Sequence, residues 1–221
     1  MNREAHTHPH TGTAPSTEGS TIRWAQHYDL VVRLLTWGKE KALRDQTIHQ
    51  AAIPKGATVL DVGCGTGTLT LLAKNEAGKH GRVYGIDAAP EMIDVARQKA
   101  MQQKRDVDFQ IGVIEALPFP DAMFDVVLSS LMFHHLPPDL KRRGLAEIYR
   151  VLKPGGRLLV VDVKRPITFT QRITMMTLVH HGLTSDVHEL VPLMEKVGYA
   201  GTQIGSLRLS LIGFIQGQRA I

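Results

Sequence analysis

The chain predicts an α/β fold, a doubly wound and mostly parallel sheet with helices on both faces, and three observations carry that prediction. Short apolar runs of strand length alternate with amphipathic stretches between residues 58 and 163. The first of these runs ends in a cluster of glycines, Gly63, Gly65 and Gly67, and a helical pattern follows it. Two alternating runs between about Thr202 and Gly217 have no helix between them, which calls for an antiparallel hairpin at one edge of the sheet.

Each element follows from its local pattern. Met1 to Ser20 is rich in Thr, Ser, Pro and Gly and reads as a disordered tail. Its three histidines, His6, His8 and His10, lack further ligands nearby, so a solvated tail is preferred to a metal site. Tyr28, Val31, Val32 and Leu35 recur at helical spacing, and Gly38 divides residues 21–55 into two helices. Thr58–Val62 reads as the first strand, with a helix then running to about Asn75. Arg82–Asp87 is the second strand, and Pro90 opens a helix that reaches about Lys104. Val107–Ile111 and Phe124–Ser129 are the third and fourth strands. Leu145, Ile148 and Leu152 mark the core stripe of the next helix, which Lys153-Pro154-Gly155-Gly156 stops before a fifth strand, Arg157–Val163. Residues 164–184 interrupt the rhythm as an insertion, after which Ser185 or Asp186 caps a helix that Gly198 ends.

At 221 residues, one domain over residues 21–221 is expected. The net charge of +5 comes from scattered residues. The densest group, Lys141-Arg142-Arg143, opens a helical stretch and reads as a solvated face, so no nucleic-acid partner is expected. A single cysteine, Cys64, rules out a disulfide framework or a multi-cysteine metal site, and no metal is expected. No apolar run approaches the roughly 18 residues of a transmembrane helix. The polar N-terminus has no apolar signal-peptide core, so a cytoplasmic location is expected.

The chemistry concentrates in Val59-Leu60-Asp61-Val62-Gly63-Cys64-Gly65-Thr66-Gly67. The dinucleotide fingerprint Gly-x-Gly-x-x-Gly would need glycine where Thr68 stands, which argues against a pyrophosphate cradle. No Lys-Ser/Thr pair follows, so a phosphate-binding P-loop is excluded as well. Asp61 at the loop mouth suits a cationic ligand group such as an α-amino group, or else caps the loop's own N–H groups. Asp87, at the end of the second strand, suits the hydroxyls of a ribose, or else caps the helix that Pro90 begins.

These residues resemble the first motif of class I S-adenosylmethionine-dependent methyltransferases. Two further stretches strengthen the resemblance in the same order, Glu115-Ala-Leu-Pro-Phe-Pro-Asp-Ala-Met-Phe-Asp125 before the fourth strand and Glu147-Ile-Tyr-Arg-Val-Leu-Lys-Pro-Gly-Gly-Arg157 before the fifth. Residues 24–165 resemble the family well, and the ubiquinone/menaquinone-biosynthesis C-methyltransferase branch most closely; residues 166–221 follow it only in outline. The resemblance implies a seven-stranded Rossmann-like sheet whose last strand is antiparallel, and S-adenosyl-L-methionine as cofactor. It implies cofactor contacts at Asp61, Gly63, Cys64, Gly65, Thr66 and Gly67, at Asp87 and Ala88 for the ribose, and at Met92, Val113 and Ile114 around the adenine. Ser129 and Ser130 would lie under the methionine part. Relatives often carry Asp or Asn where Val113 stands, so here adenine is expected to be held by apolar packing and backbone. Cys64 reads as a small loop filler rather than a nucleophile.

A base is optional for methyl transfer unless the nucleophile is a protonated oxygen or an unactivated carbon. His134 and His135, just past the fourth strand, are the candidates, with His134 preferred. Tyr28 and the helices of residues 21–55 are expected to form a lid over the cofactor. The 164–184 insertion, with Met175, Met176, His180 and His181, is expected to shape the acceptor pocket, and the two methionines suit an aromatic, quinone-like or lipid-like small molecule. A methyltransferase of RNA or protein would show a clustered basic face or an Asn/Asp-Pro-Pro-Tyr-like motif, and Ser129-Ser-Leu-Met-Phe-His134 stands there instead. A non-catalytic binding protein would have lost Asp87 or the loop glycines. An arsenite methyltransferase needs several cysteines.

Overall fold

The computed structural model describes residues 39–165, 186–209 and 211–221. The expected tail, the first helix of residues 21–55 with Tyr28, and the insertion residues Met175, Met176, His180 and His181 lie outside the described residues.

The described elements run α1 (Glu40–Ala51), β1 (Thr58–Val62), α2 (Thr68–Ala77), β2 (Arg82–Asp87), α3 (Pro90–Gln102), β3 (Asp108–Ile111), β4 (Phe124–Ser130), α4 (Pro138–Val151), β5 (Leu152–Val163), α5 (Val191–Val197), β6 (Tyr199–Ser206) and β7 (Ile212–Arg219). They form one seven-stranded sheet in the order β3-β2-β1-β4-β5-β7-β6. Strands β1 to β5 are parallel to one another, while β7 is antiparallel to both β5 and β6. The fold and its antiparallel last strand are therefore those the sequence predicted.

Alternation along the central strands sorts side chains to two faces. Leu60 and Val62 of β1, Val127 of β4 and Leu158 and Val160 of β5 pack with Leu140, Leu145 and Ile148 of α4. Val59, Val126, Leu128, Leu159 and Val161 pack instead with Leu43, Ile48 and Ala51 of α1 and Leu69 and Ala73 of α2. Both faces of the central strands are dry, which is why these segments read as near-continuous apolar runs. Burial of such side chains contributes about 1.5–3 kcal/mol apiece and dominates the stability of the layers.

Three elements differ from expectation by more than two residues or in type. Strand β5 begins at Leu152 rather than Arg157, because Leu152 pairs with Phe124 before a register shift in the ladder resumes at Val126–Arg157. The expected single helix after Asp186 is a 3₁₀ turn, Val187–Leu190, followed by α5. Pro192 has no N–H to donate back into the preceding turn, so the α ladder cannot be continuous there. Strand β6 begins at Tyr199, directly after the left-handed Gly198, rather than at Thr202.

Candidate active site

In an open parallel sheet, ligands bind outside the carboxyl ends of the strands where the strand order reverses, here between β1 and β4. The pocket found at that point draws Asp61, Gly63 and Gly65 from β1 and its loop, and Ser130 and Leu131 from the end of β4. Glu40, Leu43 and Arg44 of α1 close one side of it.

The glycine loop is held by the strand beside it. The N–H groups of Gly63 and Cys64 both donate to Ile86 O at 2.9 Å, and Gly67 N–H donates to Cys64 O at 2.9 Å. Gly63, Gly65 and Gly67 all have positive φ. Gly67 is the residue before α2, and a Cβ there would lie 2.6 Å from Phe109 Cζ and 2.8 Å from Ala96 Cβ. A Cβ on Gly63 would lie 2.4 Å from Met132 Cγ, so the loop after β4 packs directly on the glycine loop. Lys99, reaching over from α3, donates to the hydroxyls of Thr66 and Thr68 at 2.9 and 3.0 Å.

Asp61 shares the α2 face of β1 with Val59, and it is buried. Its Oδ2 accepts from Thr70 Oγ1 at 2.7 Å. Burial pushes its carboxyl up to about 7, with the nearby Asp87 adding to the rise and the Thr70 hydrogen bond opposing it. Asp87 Oδ2 accepts from Gly65 N–H and Oδ1 from Ala89 N–H, both at 2.9 Å. Burial raises the Asp87 carboxyl as well, against those backbone bonds. Of the two aspartates, Asp87 is thus the one that holds a loop N–H and the approach to α3, while Asp61 is tied to α2. The Asp87 carboxylate keeps acceptor capacity for a ligand hydroxyl.

The remaining expected residues divide between pocket and core. Gly63, Cys64, Gly65, Thr66 and Ser130 line the pocket. The Ser129 hydroxyl donates to Val62 O at 2.9 Å and ties β4 to β1. Ala88 is partly buried beside Asp87, and Met92 is buried in a small cluster with Ala89 and Val95. Val113 forms an isolated bridge with Ala116, and Ile114 packs into the α4-side core, where it lies against Gly144. Cys64 is buried, and burial with Asp61 and Asp87 nearby pushes its thiol up, so it is a poor nucleophile.

His134 and His135 sit in a 3₁₀ turn, Phe133–His135, directly beyond the end of β4. His134 Nδ1 lies 2.6 Å from Asp162 Oδ1, and the backbone N–H of His134 donates to Asp162 Oδ2 at 3.0 Å. The two imidazoles are 3.9 Å apart between centroids. Burial, reinforced by His134, pushes His135 down to about 4, which leaves it neutral at physiological pH.

Several of these residues escaped the sequence. Glu40 and Arg44 form an i,i+4 pair with 3.5 Å between charged atoms, and nothing in their spacing separates them from an ordinary surface pair. Asp162 did leave a signal, a single charge inside the apolar run Leu158-Leu159-Val160-Val161-Asp162-Val163 at the carboxyl end of a parallel strand.

Residues 59–156 match the family model described as a methyltransferase domain. The chain is similar to the demethylmenaquinone methyltransferase of Bacillus licheniformis, with 34% identity over 144 residues that make up 65% of this chain and 61% of that protein. It is similar also to the arsenite methyltransferase of Halobacterium salinarum, 35% identical over 158 residues, or 70% of this chain and 40% of that protein. The chain thus spans about three fifths of the first of these relatives and two fifths of the second. Among solved structures, a SAM-dependent methyltransferase from Aquifex aeolicus superposes with a TM-score of 0.70 at 22% identity, covering 90% of this chain and 100% of that one, a likeness of fold.

Proposed function

We propose that this chain, which carries a methyltransferase domain over residues 59–156, binds S-adenosyl-L-methionine and transfers its methyl group to a small aromatic, quinone-like or lipid-like acceptor. One observation carries the reading: a tight glycine loop at the reversal of strand order is flanked by two carboxylates, Asp61 and Asp87, both held by hydrogen bonds. That donor set fits the cofactor. A phosphate would meet two acceptors, whereas an α-ammonium group and a ribose diol each meet the acceptor they need. When bound, the cofactor supplies a methyl group activated on a sulfonium.

The protein's own residues bind, orient and shield. Asp61 takes the amino end, Asp87 the ribose, and the apolar side chains of Met92 and Val113 flank the adenine. Helix α1 shields one side of the pocket with Glu40, Leu43 and Arg44. His134 is the base. The similarity to a demethylmenaquinone methyltransferase favours a ring acceptor. An arsenic acceptor is disfavoured by chemistry, since trivalent arsenic calls for several thiolates and this chain has one cysteine. No nucleic-acid partner enters this reading. No helix among the described residues is long and apolar enough to cross a membrane.

Two experiments test the reading in sequence. Calorimetry with S-adenosylhomocysteine asks whether the cofactor pocket is real, and an absence of binding sinks the proposal. A screen of hydroxylated aromatic, quinol, lipid and amine acceptors with methyl-labelled cofactor then asks what is methylated; label appearing only in RNA or protein would overturn the small-molecule reading.

A further inference from the structure

Asp162 belongs to β5 and shares the α4 face of that strand with Leu158 and Val160. It is 1% exposed, deep among apolar side chains, yet it carries a charge-bearing group. Buried polar groups of this kind are held by hydrogen bonds, and its bonds are specific. Oδ2 accepts from the backbone N–H of His134 at 3.0 Å, and Oδ1 accepts from Val163 N–H at 2.7 Å while standing 2.6 Å from His134 Nδ1. Two backbone donors from two elements fix the carboxylate, so it presents a rigid acceptor to one ring nitrogen. A rigid acceptor at Nδ1 selects the tautomer with hydrogen on Nδ1 and leaves the lone pair on Nε2.

The surroundings support one base rather than two. The His135 ring lies against that of His134 at a tilt of 41°, and burial together with that neighbour lowers His135 to about 4, which makes it a weak base. Lys141 of α4 is the cation that faces Asp162, and Glu189 of the turn before α5 faces Lys141 in its turn. Asp162 thus interacts both with the His134 ring and with the Lys141 ammonium.

We propose that Asp162 is a positioning residue for His134, holding it as an Nε2 base that removes the proton of an acidic hydroxyl on the acceptor, a phenol or enol. The proposal rests on the methyl-transfer reading for its chemistry and on the Asp162–His134 geometry for its mechanism. In the step, the acceptor O–H bond breaks and an N–H bond forms at Nε2. The electron pair released on the acceptor would form the new bond to the methyl group that S-adenosyl-L-methionine, held by Asp61 and Asp87, would supply, and the electrons of the broken methyl–sulfur bond would stay on sulfur. The imidazolium afterwards gives its proton to water.

The test reads the tautomer directly. Long-range proton–nitrogen correlation spectra of the full chain, recorded without any acceptor, are compared for wild type, His134→Gln (which assigns the ring) and Asp162→Asn. The expected result is Nδ1–H at His134 in wild type and a shift toward Nε2–H in Asp162→Asn, whose amide can donate to Nδ1. With a naphthohydroquinone as acceptor, Asp162→Asn is expected to lower kcat on the order of 10²–10⁴-fold, as loss of a histidine-orienting carboxylate does elsewhere, with KM and S-adenosylhomocysteine affinity little changed. His134→Gln is expected to remove the acidic limb of the pH–rate profile. An Nε2–H tautomer in wild type overturns the proposal, even if Asp162→Asn fails to fold. So does an Asp162→Asn enzyme that folds and keeps the wild-type rate and pH profile. The tautomer stands independent of methyl transfer, whereas failure of wild type to bind S-adenosylhomocysteine would strike the reading of the site as a methyltransferase.

Discussion

Asp87 and Gly65 are joined across the mouth of the sheet, with Asp87 Oδ2 accepting the Gly65 N–H at 2.9 Å. The same carboxylate accepts from Ala89 N–H, so one side chain fixes both the glycine loop and the entry to α3. A ligand diol placed against Asp87 would therefore meet an acceptor already aimed by two backbone donors, with little side-chain freedom left to lose on binding.

That arrangement predicts a large effect at one position. Asp87→Ala should weaken S-adenosylhomocysteine binding by roughly 1.5–3 kcal/mol, the worth of hydrogen bonds to a charged group, as measured by calorimetry. An analogue lacking both ribose hydroxyls should bind wild type and Asp87→Ala alike. If the variant weakens both ligands equally, Asp87 acts only by shaping the loop and the ribose assignment is wrong.

The glycines give a second comparison, between crowded and open positions. Gly67 has φ +75 and its Cβ direction is filled by Phe109 and Ala96, so Gly67→Ala should cost about 2–5 kcal/mol, combining backbone strain with overpacking. Gly56 has φ +83 with nothing within 4 Å of a Cβ, so Gly56→Ala should cost only about 1 kcal/mol. Urea unfolding of both variants distinguishes them; equal losses would mean that contact with Phe109 and Ala96 contributes nothing.

The mostly parallel α/β architecture and the glycine loop were legible because they rest on local rules: strand-length apolar runs alternating with amphipathic stretches, glycine after β1, an acid at the end of β2. Boundaries were less so where the cause is not local. Leu152 joins β5 only because Phe124 lies opposite it, a contact between residues distant in sequence. Ser129 and Ser130 look equivalent in sequence, and only the pleat of β4 sends Ser129 to Val62 O and leaves Ser130 in the pocket. Thr70 and Lys99 were invisible as site residues for a similar reason. Each is an ordinary helix residue until the packing of α2 on β1, or of α3 across the loop, brings it to Asp61 or to Thr66.

Lys99 supplies a third prediction. Its ammonium ties α3 to the start of α2 through Thr66 and Thr68, and Lys99→Met keeps the apolar stem while losing both bonds. A loop held less firmly must be ordered on binding, so S-adenosylhomocysteine affinity should fall about 3–20-fold, or roughly 0.7–1.8 kcal/mol. Unchanged affinity in a variant that melts like wild type would show that the loop is fixed without this latch.

Asp61 yields the pH dependence, and its sign runs opposite to that of an exposed, salt-bridged carboxylate. Its folded-state value of about 7 stands above the ordinary 3.8, so between those limits the folded chain holds a proton that the unfolded chain has lost. Stability of the ligand-free protein should therefore fall as pH rises through that window, by an amount on the order of 4 kcal/mol at most. A cationic amino group needs the ionised form, so S-adenosyl-L-methionine affinity should move the other way and rise severalfold from pH 6 to pH 8, limited at the upper end because an α-amino group itself deprotonates at about 7.7–8.0. Asp61→Asn should flatten both trends: it removes the titrating proton, and it leaves binding weak at either pH. Chemical denaturation and calorimetry at the two pH values measure them. A wild-type affinity that is flat with pH, or an Asp61→Asn variant that keeps the rise, would mean that the amino end of the cofactor is held by some group other than Asp61.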